Sequence, residues 1–409
     1  MRLHNSELEQ GLPAGLRNRS HPSLRAVLPL LCGFVAAFAL FAAAGIARAD
    51  EASGTWTGNV ETRGNYYLER STRVMMPAVR VNVETPNGIR ARASYVLDVI
   101  ASASIAQTGG AKDGVFTELR HGIGQMALGK KIDTGNAEID LAVHGTYSTE
   151  DDYKSLTYGI VGSAAVNEKN TTVTLGVTRV DDTVESNIDR TFRGQLGALS
   201  FGLGLSQLLS PVLKFDVGYQ LQYLEGFLGN PYRRALVGAR PRAGSDKLMG
   251  GLPKPEDPPD SRWRHNLEGA LSWYLPASAT TFQLYLRGYT DSWGIQALTP
   301  EPRVYQQLGN NLVVRARYRF YTQTRADFAP EDGQTAYPVD YMGPLTSDPK
   351  MVRFQSHQVG LRLTYQFAFL TGWLRGLRDV AMDANLDRGW TTSSFDNYWV
   401  GSIGGRVAF

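Results

Sequence analysis

The most distinctive chemical feature of this 409-residue sequence is a row of three arginines at alternate positions. Arg315, Arg317 and Arg319 precede Tyr321 in the stretch LVVRARYRFY. A spacing of two places all four side chains on one face of a β-strand. Rings of arginine or lysine that line a pore select anions, so this segment predicts an anion track.

The alternative interpretation is that these arginines fill a protein interior with ion pairs. Asp98, Glu268 and Asp291 fall on the charged faces of other alternating segments and are the expected partners. Buried charges must be paired, and this interpretation is preferred. The remaining basic excess still points to anions if the interior is open.

No other motif predicts catalysis. The acidic segments Ser148–Tyr153 and Pro255–Asp260 lack the regular ligand spacing of a calcium loop. The histidines are scattered, and no nucleophile elbow, paired carboxylates or glycine-rich phosphate loop is found. We therefore expect no catalytic residue, no metal, no cofactor and no enzyme.

The elements that must position the arginines are segments with a period of two. Val79, Val81 and Val83 alternate with polar residues, and the pattern resumes after an Asn-Gly turn signal. About sixteen such segments follow one another along the chain. The polar faces carry the residues predicted to line the interior: Arg80, Arg90, Arg92, Asp98, Arg287, Asp291, Arg315, Arg317, Arg319 and Tyr321.

A soluble β-sandwich and a membrane barrel share this period, but the aromatic residues favour the barrel. Trp263 and Trp273 lie on one face ten residues apart, and Trp399 and Phe409 repeat that spacing. At ~3.3 Å per residue and a tilt of ~40°, the spacing covers about 25 Å of membrane normal, the height expected between aromatic girdles. The predicted fold class is all-β, a transmembrane antiparallel up-and-down β-barrel of about 16 strands.

The connections between segments alternate between short and long. The long segments 226–261 and 325–352 are expected to be loops that gate the barrel. The stretch GLPKPEDPPD in the first of them is rich in proline and glycine, which predicts that this segment contains no strand. Leu370–Asp379 is either a helical turn or a plain long turn.

The C-terminal stretch YWVGSIGGRVAF has the form of a final barrel strand that ends on an aromatic residue. Its apolar face includes Trp399, Val407 and Phe409. We expect these three residues to form the assembly signal that the barrel-assembly machinery reads.

The N-terminus has the form of a cleaved secretory signal peptide. Ala26–Ile46 is uncharged, follows several arginines and precedes a small-x-small site at Ala47 and Ala49. The predicted domains are a signal peptide, residues 1–49, and a barrel, residues 50–409; a retained membrane anchor is the alternative. The only cysteine, Cys32, lies in the leader, so thiolate metal sites are excluded from the mature chain.

The mature chain resembles a bacterial family filed as domain of unknown function 3570. The motifs that carry the resemblance span nearly all of the mature chain: YYLERSTRV, YVLDVIASAS, YSTEDDYKS, NPYRRALV, RHNLEGALSWYLP, TDSWGI and RYRFYTQTRADF. The resemblance implies an outer-membrane β-barrel and transfers no catalytic residues.

The expected function is therefore a channel or transporter for small solutes, anions among them, in the bacterial outer membrane. A non-conducting scaffold or receptor is the second hypothesis, and a barrel-embedded hydrolase is the third. The expected partners are outer-membrane lipid, the barrel-assembly machinery and an unknown small solute, with homo-oligomerisation left open. Without the leader, basic and acidic residues balance, and no basic patch argues for nucleic acid.

Overall fold

The computed structural model describes residues 56–69, 72–104, 114–241, 248–331, 336–373, 376–393 and 397–409. The predicted signal peptide, residues 1–49, lies outside the described residues and stays a prediction. Among the described residues, no helix has both the length and the apolar character needed to cross a bilayer.

The described residues form twenty-one strands, and sixteen of them close into a single antiparallel barrel. The first nine strands, all in the barrel, are β1 (Thr57–Leu68), β2 (Thr72–Glu84), β3 (Ile89–Ser104), β4 (Gly114–Asp133), β5 (Glu138–Thr149), β6 (Tyr153–Val166), β7 (Thr171–Glu185), β8 (Arg193–Ser210) and β9 (Leu213–Gly226). Four short strands outside the barrel follow: β10 (Arg234–Val237), β11 (Arg240–Pro241), β12 (Leu248–Met249) and β13 (Leu252–Pro255). The chain continues with β14 (Ser261–Leu275), β15 (Thr280–Asp291), β16 (Gln296–Leu308), β17 (Leu312–Gln323), the short β18 (Ala336–Tyr337), β19 (Phe354–Gln366), helix α1 (Ala368–Trp373), β20 (Asp379–Thr391) and β21 (Tyr398–Ala408).

The barrel closes because its first strand pairs with both the second strand and the last. β1 pairs with β2 from Thr57–Glu84 to Leu68–Arg73, and with β21 from Asn59–Ala408 to Leu68–Trp399. Every barrel strand thus has two antiparallel neighbours, and no barrel edge is left open. The predicted all-β antiparallel barrel of about 16 strands is confirmed.

Alternation sorts each strand into an apolar outer face and a charged inner face. On the outside, Leu175 and Ile403 are 60% and 64% exposed. On the inside, Arg63 of β1 pairs with Asp383 of β20 at 2.9 Å. A sandwich buries its apolar face between two sheets, whereas a membrane barrel turns that face toward lipid. The exposed aliphatic face therefore has the polarity of a membrane barrel.

Short and long connections lie at opposite rims because successive strands reverse direction. The short-turn rim consists of turns 85–88, 134–137, 167–170, 211–212, 276–279 and 309–311, together with the β19–β20 connection. That connection contains α1, so the helical alternative for the segment Leu370–Asp379 is correct over its first residues. The opposite rim, from which segments 227–260 and 324–353 leave the barrel, is called the long-loop rim below.

The two long segments fold together instead of remaining free of strands. β10 pairs antiparallel with β13 and parallel with β18, which forms a three-stranded sheet outside the barrel, called the cap sheet below. The prediction that segment 226–261 contains no strand is therefore wrong. Pro253 and Pro255 are tolerated because β13 is an edge strand, where a missing N–H does not break a ladder.

Two buried apolar clusters hold these segments in place. The cluster in the cap sheet consists of Ala235, Val237, Tyr337 and Leu345. The cluster under the long-loop rim consists of Trp293, Ile295, Ala326, Phe328 and Ala329. The Tyr337 hydroxyl lies 3.0 Å from the Phe328 carbonyl oxygen and accepts a 2.9 Å bond from the Thr346 N–H, which ties the cap sheet to both flanking loops. Burial raises the pKa of Tyr337 to about 12, so the hydroxyl keeps its proton at any physiological pH.

The barrel seam yields a first prediction, which concerns Phe409. The Phe409 N–H donates to the Gly58 carbonyl at 2.9 Å, the Gly58 N–H donates to the Phe409 carbonyl at 3.0 Å, and the Phe409 residue is 8% exposed. Phe409→Ala keeps both backbone bonds and removes the buried ring, which is expected to cost about 3–5 kcal/mol of unfolding free energy. Urea unfolding in detergent, followed by heat-modifiable gel mobility, measures this loss.

Phe369→Ala is the matched control, since Phe369 lies at the same rim and is 66% exposed. This control should unfold like the parent protein. Equal stability of Phe409→Ala and the parent would contradict the assignment of Phe409 as a seam anchor.

Candidate functional site in the charged lumen

Arginines of β16 and β17 converge on one buried carboxylate, that of Glu301. Glu301 Oε1 lies 2.7 Å from Arg303 Nε and 3.4 Å from Arg317 Nη1, while Oε2 lies 3.9 Å from Arg319 Nε. The Glu301 side chain is 4% exposed, whereas that of Arg319 is 39% exposed. One carboxylate thus faces several guanidinium groups, which leaves this wall of the lumen basic.

The local sequence TPEP explains how Glu301 is placed there. β16 pairs with β17 at Leu298–Thr322 and resumes at Arg303–Arg317, while the residues between them keep their pairing with β15. Pro300 and Pro302 have no N–H to donate, so the ladder toward β17 is interrupted. Sequence reasoning missed Glu301, and a glutamate between two prolines inside an alternating segment was the available signal.

A second buried carboxylate, Asp387 of β20, completes the partners of Arg317. Arg317 Nε donates to Asp387 Oδ1 at 2.9 Å, and the Asp387 residue is 1% exposed. Arg315 Nη2 donates at 2.8 Å to the side-chain oxygen of Asn385, an amide and not a carboxylate. The three arginines are therefore held by Glu301, Asp387 and Asn385.

The predicted ion-pair partners of this row are thus wrong, although ion pairing itself occurs. Asp98, Glu268 and Asp291 had been expected to neutralise the arginines across the lumen. The structure uses the adjacent strand β16 and the next-nearest strand β20 instead, because charge pairs between nearby strands need no side chain to reach across the barrel. The carboxylates of β16 and β20 lie within that reach.

A further ion-pair group crosses the barrel seam. Asp383 accepts from Arg63 at 2.9 Å and lies 3.1 Å from Arg362 Nη2. Arg63 and Asp383 belong to the two strands that flank β21, and the pair lies over Gly404. A Cβ atom at Gly404 would lie 2.9 Å from the Asp383 carboxylate. The glycine is therefore what lets the first and next-to-last strands bond directly.

Predicted lumenal residues line two open spaces in the interior. A space of about 660 Å³ toward the short-turn rim is lined by Arg80, Arg90 and Arg92, among others. Here Arg90 bonds Asp140, Arg92 Nε donates to the Asn82 side-chain oxygen at 2.8 Å, and Arg80 lies 3.5 Å from Glu61.

A second space, of about 560 Å³, is lined by Asp216, Glu268 and Arg287. Arg287 Nε donates to the Asn266 side-chain oxygen at 3.0 Å, and Glu268 accepts a 2.7 Å bond from the Tyr285 hydroxyl. The residues around this space include both acids and a base, unlike the arginine-rich wall at β17.

Asp291 is a correction to the predicted lining. Its side chain is 0% exposed and accepts bonds from Arg262 Nε at 3.0 Å, from the Trp293 N–H at 2.9 Å and from the Ile295 N–H at 3.0 Å. The β15–β16 turn therefore closes over the carboxylate, and Asp291 holds the long-loop rim together instead of facing the lumen.

The remaining predicted residues are half-buried on inner faces of their strands. Asp98 lies on β3, and Tyr321 on β17 donates a 2.6 Å bond to the Gln323 side-chain oxygen. Within the described ranges, no group of three or more histidine, cysteine or acidic side chains is placed to hold a metal ion.

Comparison with known proteins adds a family match. The profile of a family described as "Protein of unknown function (DUF3570)" matches residues 113–377. No curated protein matches the sequence.

Solved barrels resemble the structure only loosely. CdiB from Acinetobacter baumannii is 11% identical with a TM-score of 0.42, over 87% of this chain and 60% of that one. OprD from Pseudomonas aeruginosa is 10% identical with a TM-score of 0.40, over 88% and 97% of the two chains. OmpT, an outer membrane protein of Vibrio cholerae, is 9% identical with a TM-score of 0.38, over 87% and 96%. This chain thus spans about three fifths of CdiB.

Arg303, Arg315, Arg317 and Arg319 of β16 and β17 form the arginine wall. This wall yields a second prediction, which concerns Glu301. Glu301→Gln keeps the side-chain shape and removes the charge shared by Arg303, Arg317 and Arg319. The unfolding free energy should fall by about 1.5–3 kcal/mol, the range for hydrogen bonds to charged groups. Equilibrium urea unfolding in detergent, followed by tryptophan fluorescence, measures the change.

Glu138→Gln is the control, because Glu138 also accepts from a cation, Lys169 at 2.8 Å, but in an exposed pair at the short-turn rim. Such pairs contribute little, and this variant should unfold like the parent. A Glu301→Gln protein as stable as the control would contradict the role of Glu301 as the shared partner.

Proposed function

The chain belongs to the DUF3570 family, whose description names no activity, and we propose that it is an outer-membrane channel for small solutes with a preference for anions. The observation that carries this proposal is the arginine wall of β16 and β17. There Glu301 is the shared partner of Arg303, Arg317 and Arg319, and Arg315 bonds an amide.

The membrane location is supported by the outer face of the barrel. Large apolar side chains are exposed on it along the barrel, among them Leu128, Leu175, Leu267 and Ile403. Exposed patches of this extent are characteristic of a surface that meets a membrane or a partner. A closed barrel also satisfies all strand hydrogen bonds without water, as the hydrocarbon core of a bilayer requires.

The anion preference is supported by the excess of arginines over carboxylates on the arginine wall. Rows of guanidinium groups lower the energy of an anion along a pore and raise that of a cation. Arg319 is the most solvent-accessible member of the three arginines paired with Glu301. It is therefore the group of this wall that a passing anion would meet most directly.

The leader and the assembly signal complete the proposal. Residues 1–49 would direct export and be removed, leaving the barrel from residue 50 onward. Trp399, Val407 and Phe409 lie in or directly after the closing strand, where Val407 pairs with both Val60 and Val380. A signal read during assembly would thus lie on the strand that seals the seam.

A second candidate function is a non-conducting scaffold or receptor, and one observation favours it. The long loops form the ordered cap sheet at the long-loop rim, and this sheet reaches neighbouring loops: the Tyr232 hydroxyl bonds Asp152, and Arg233 Nη1 lies 2.6 Å from Asp348. A rigid surface of this kind suits binding as well as gating. We propose no catalytic role.

The proposed channel yields a third prediction, which concerns ion selectivity. Replacing Arg315, Arg317 and Arg319 by glutamine removes three positive charges from the lumen. One unit charge 4 Å away in water contributes about 1 kcal/mol, so the anion-to-cation permeability ratio should fall about fivefold or more. Reversal potentials across a planar bilayer under a potassium chloride gradient measure the ratio.

The control variant removes three cations from the outer face: Arg73→Gln, Lys130→Gln and Lys154→Gln. These side chains are exposed and share the outward-facing positions of their strands. The control should keep the parent selectivity. A parent protein that is folded and electrically silent would contradict the channel and support the scaffold.

A further inference from the structure

Arg388 of β20 points out of the barrel, unlike the arginines of the lumen. It alternates with Leu386 and Trp390, which are 54% and 41% exposed on the outer face. Its register partners on the neighbouring strands, Val359 and Trp399, are outward-facing as well. Arg388 therefore places a positive charge on the apolar surface, three residues before the end of β20.

The guanidinium group of Arg388 is held by two indole rings. Its central carbon lies 4.8 Å from the ring centroid of Trp399 and 5.9 Å from that of Trp390, both within the range of cation–π attraction. In the part of the chain that the structure describes, Arg388 has no ion pair, and no side chain or carbonyl accepts a hydrogen bond from it. Its N–H donors are therefore positioned by the rings and remain available to an external acceptor.

Arg179 shows how the same outer face treats a cation that needs no external partner. Arg179 of β7 also faces outward, but its Nε donates to Asp181 at 2.8 Å and its Nη1 lies 3.6 Å from Glu225. The acidic groups beside it neutralise it. Arg388 has aromatic neighbours instead, and these fix its position without cancelling its charge.

A groove with a mixed polar and apolar lining lies on the same outer surface, across β14 to β19 at the long-loop rim. It has a volume of about 750 Å³, and beside the apolar Leu267 and Leu298 its lining includes hydroxyl, amide and basic side chains: Thr290, Gln296, Thr322, Thr324, Arg353 and Gln355. These residues continue the outward-facing positions of strands that are apolar further down, such as Leu284 and Leu286 of β15. Hydroxyl and amide groups in this position suit a ligand rich in hydroxyls, such as a sugar.

The polar side chains of the outer face near the long-loop rim are called the polar belt. Two histidines lie at the edge of this belt that is nearer the middle of the barrel wall. His265 at the groove accepts or donates a 2.8 Å bond with the Tyr219 hydroxyl, and His357 forms the same 2.7 Å bond with Tyr318. His357 pairs in register with Trp390, the ring beside Arg388. The belt of polar groups thus runs from the groove to Arg388 on one side of the barrel.

We propose that this surface binds the phosphorylated headgroup of an outer-leaflet glycolipid, with Arg388 on a phosphate and the groove on the sugar hydroxyls. The inference rests on the proposed membrane location, and it assigns the long-loop rim to the outer leaflet. A second copy of the chain would have to offer carboxylates to Arg388. Two acids of the outer face, Asp181 and Glu225, already pair with Arg179, and a lipid phosphate offers the planar fork of Arg388 two acceptor oxygens.

Native mass spectrometry of the full-length barrel in mild detergent tests the proposal. The probe is an acylated diglucosamine lipid bearing two phosphates, compared with the same lipid after removal of both phosphates. The parent should retain the phosphorylated lipid selectively, and Arg388→Gln should weaken its binding about tenfold, the factor that ~1.4 kcal/mol represents. Arg388→Lys, which keeps the charge and loses the planar fork, should bind with intermediate strength.

Arg179→Gln is the matched control, since it removes an outward arginine that is already paired, and it should bind the lipid like the parent. Heat-modifiable gel mobility confirms that each variant is folded before binding is measured. Equal binding of both lipids, or equal binding by the parent and Arg388→Gln, would overturn the proposal. A dimer that Arg388→Gln dissociates would overturn it in favour of a second copy. A barrel that binds the lipid selectively but does not conduct would refute the channel alone.

Discussion

A ring of strands with no open edge is the constraint on which the rest of this molecule depends. Because β1 pairs with β21 as well as with β2, each side chain has only two places to go, the enclosed interior or the outer surface. The side-chain period of a strand is two, so a slip of one residue would exchange these two faces. The apolar exterior and the charged interior are therefore two results of one register.

The charged side chains inside the barrel are neutralised by partners on nearby strands. Glu301, Asp383 and Asp387 are each shared or reached by arginines from adjacent or next-nearest strands. Such short-range pairing coexists with two spaces of about 660 and 560 Å³ inside the barrel. Ion pairing of the arginines and an anion track along them are therefore compatible interpretations of the arginine row.

The strand count and the two faces could be predicted because both follow from local alternation along the chain. Partners could not, because they depend on which strands become neighbours. Glu301 escaped notice since its flanking prolines break the alternation that marked the other lumenal residues. Asp291 lies at an inward-facing position of β15, as predicted. Two N–H groups of the turn after it donate to its carboxylate, which is buried in the turn instead of facing the open lumen. The cap strands were missed because proline-rich composition excludes central strands and not an edge strand.

The parallel pairing of Leu236 with Ala336 has a consequence for the order in which the chain acquires its structure. The two residues are separated in sequence by four complete barrel strands, β14 to β17, and bringing distant segments together costs more entropy as the intervening loop lengthens. Once those strands are in place, the intervening segment is no longer a floppy loop, and the ends of β9 and β17 hold the two partners near each other. The cap sheet is therefore expected to form after the barrel, and its formation would report that the wall beneath it is already complete.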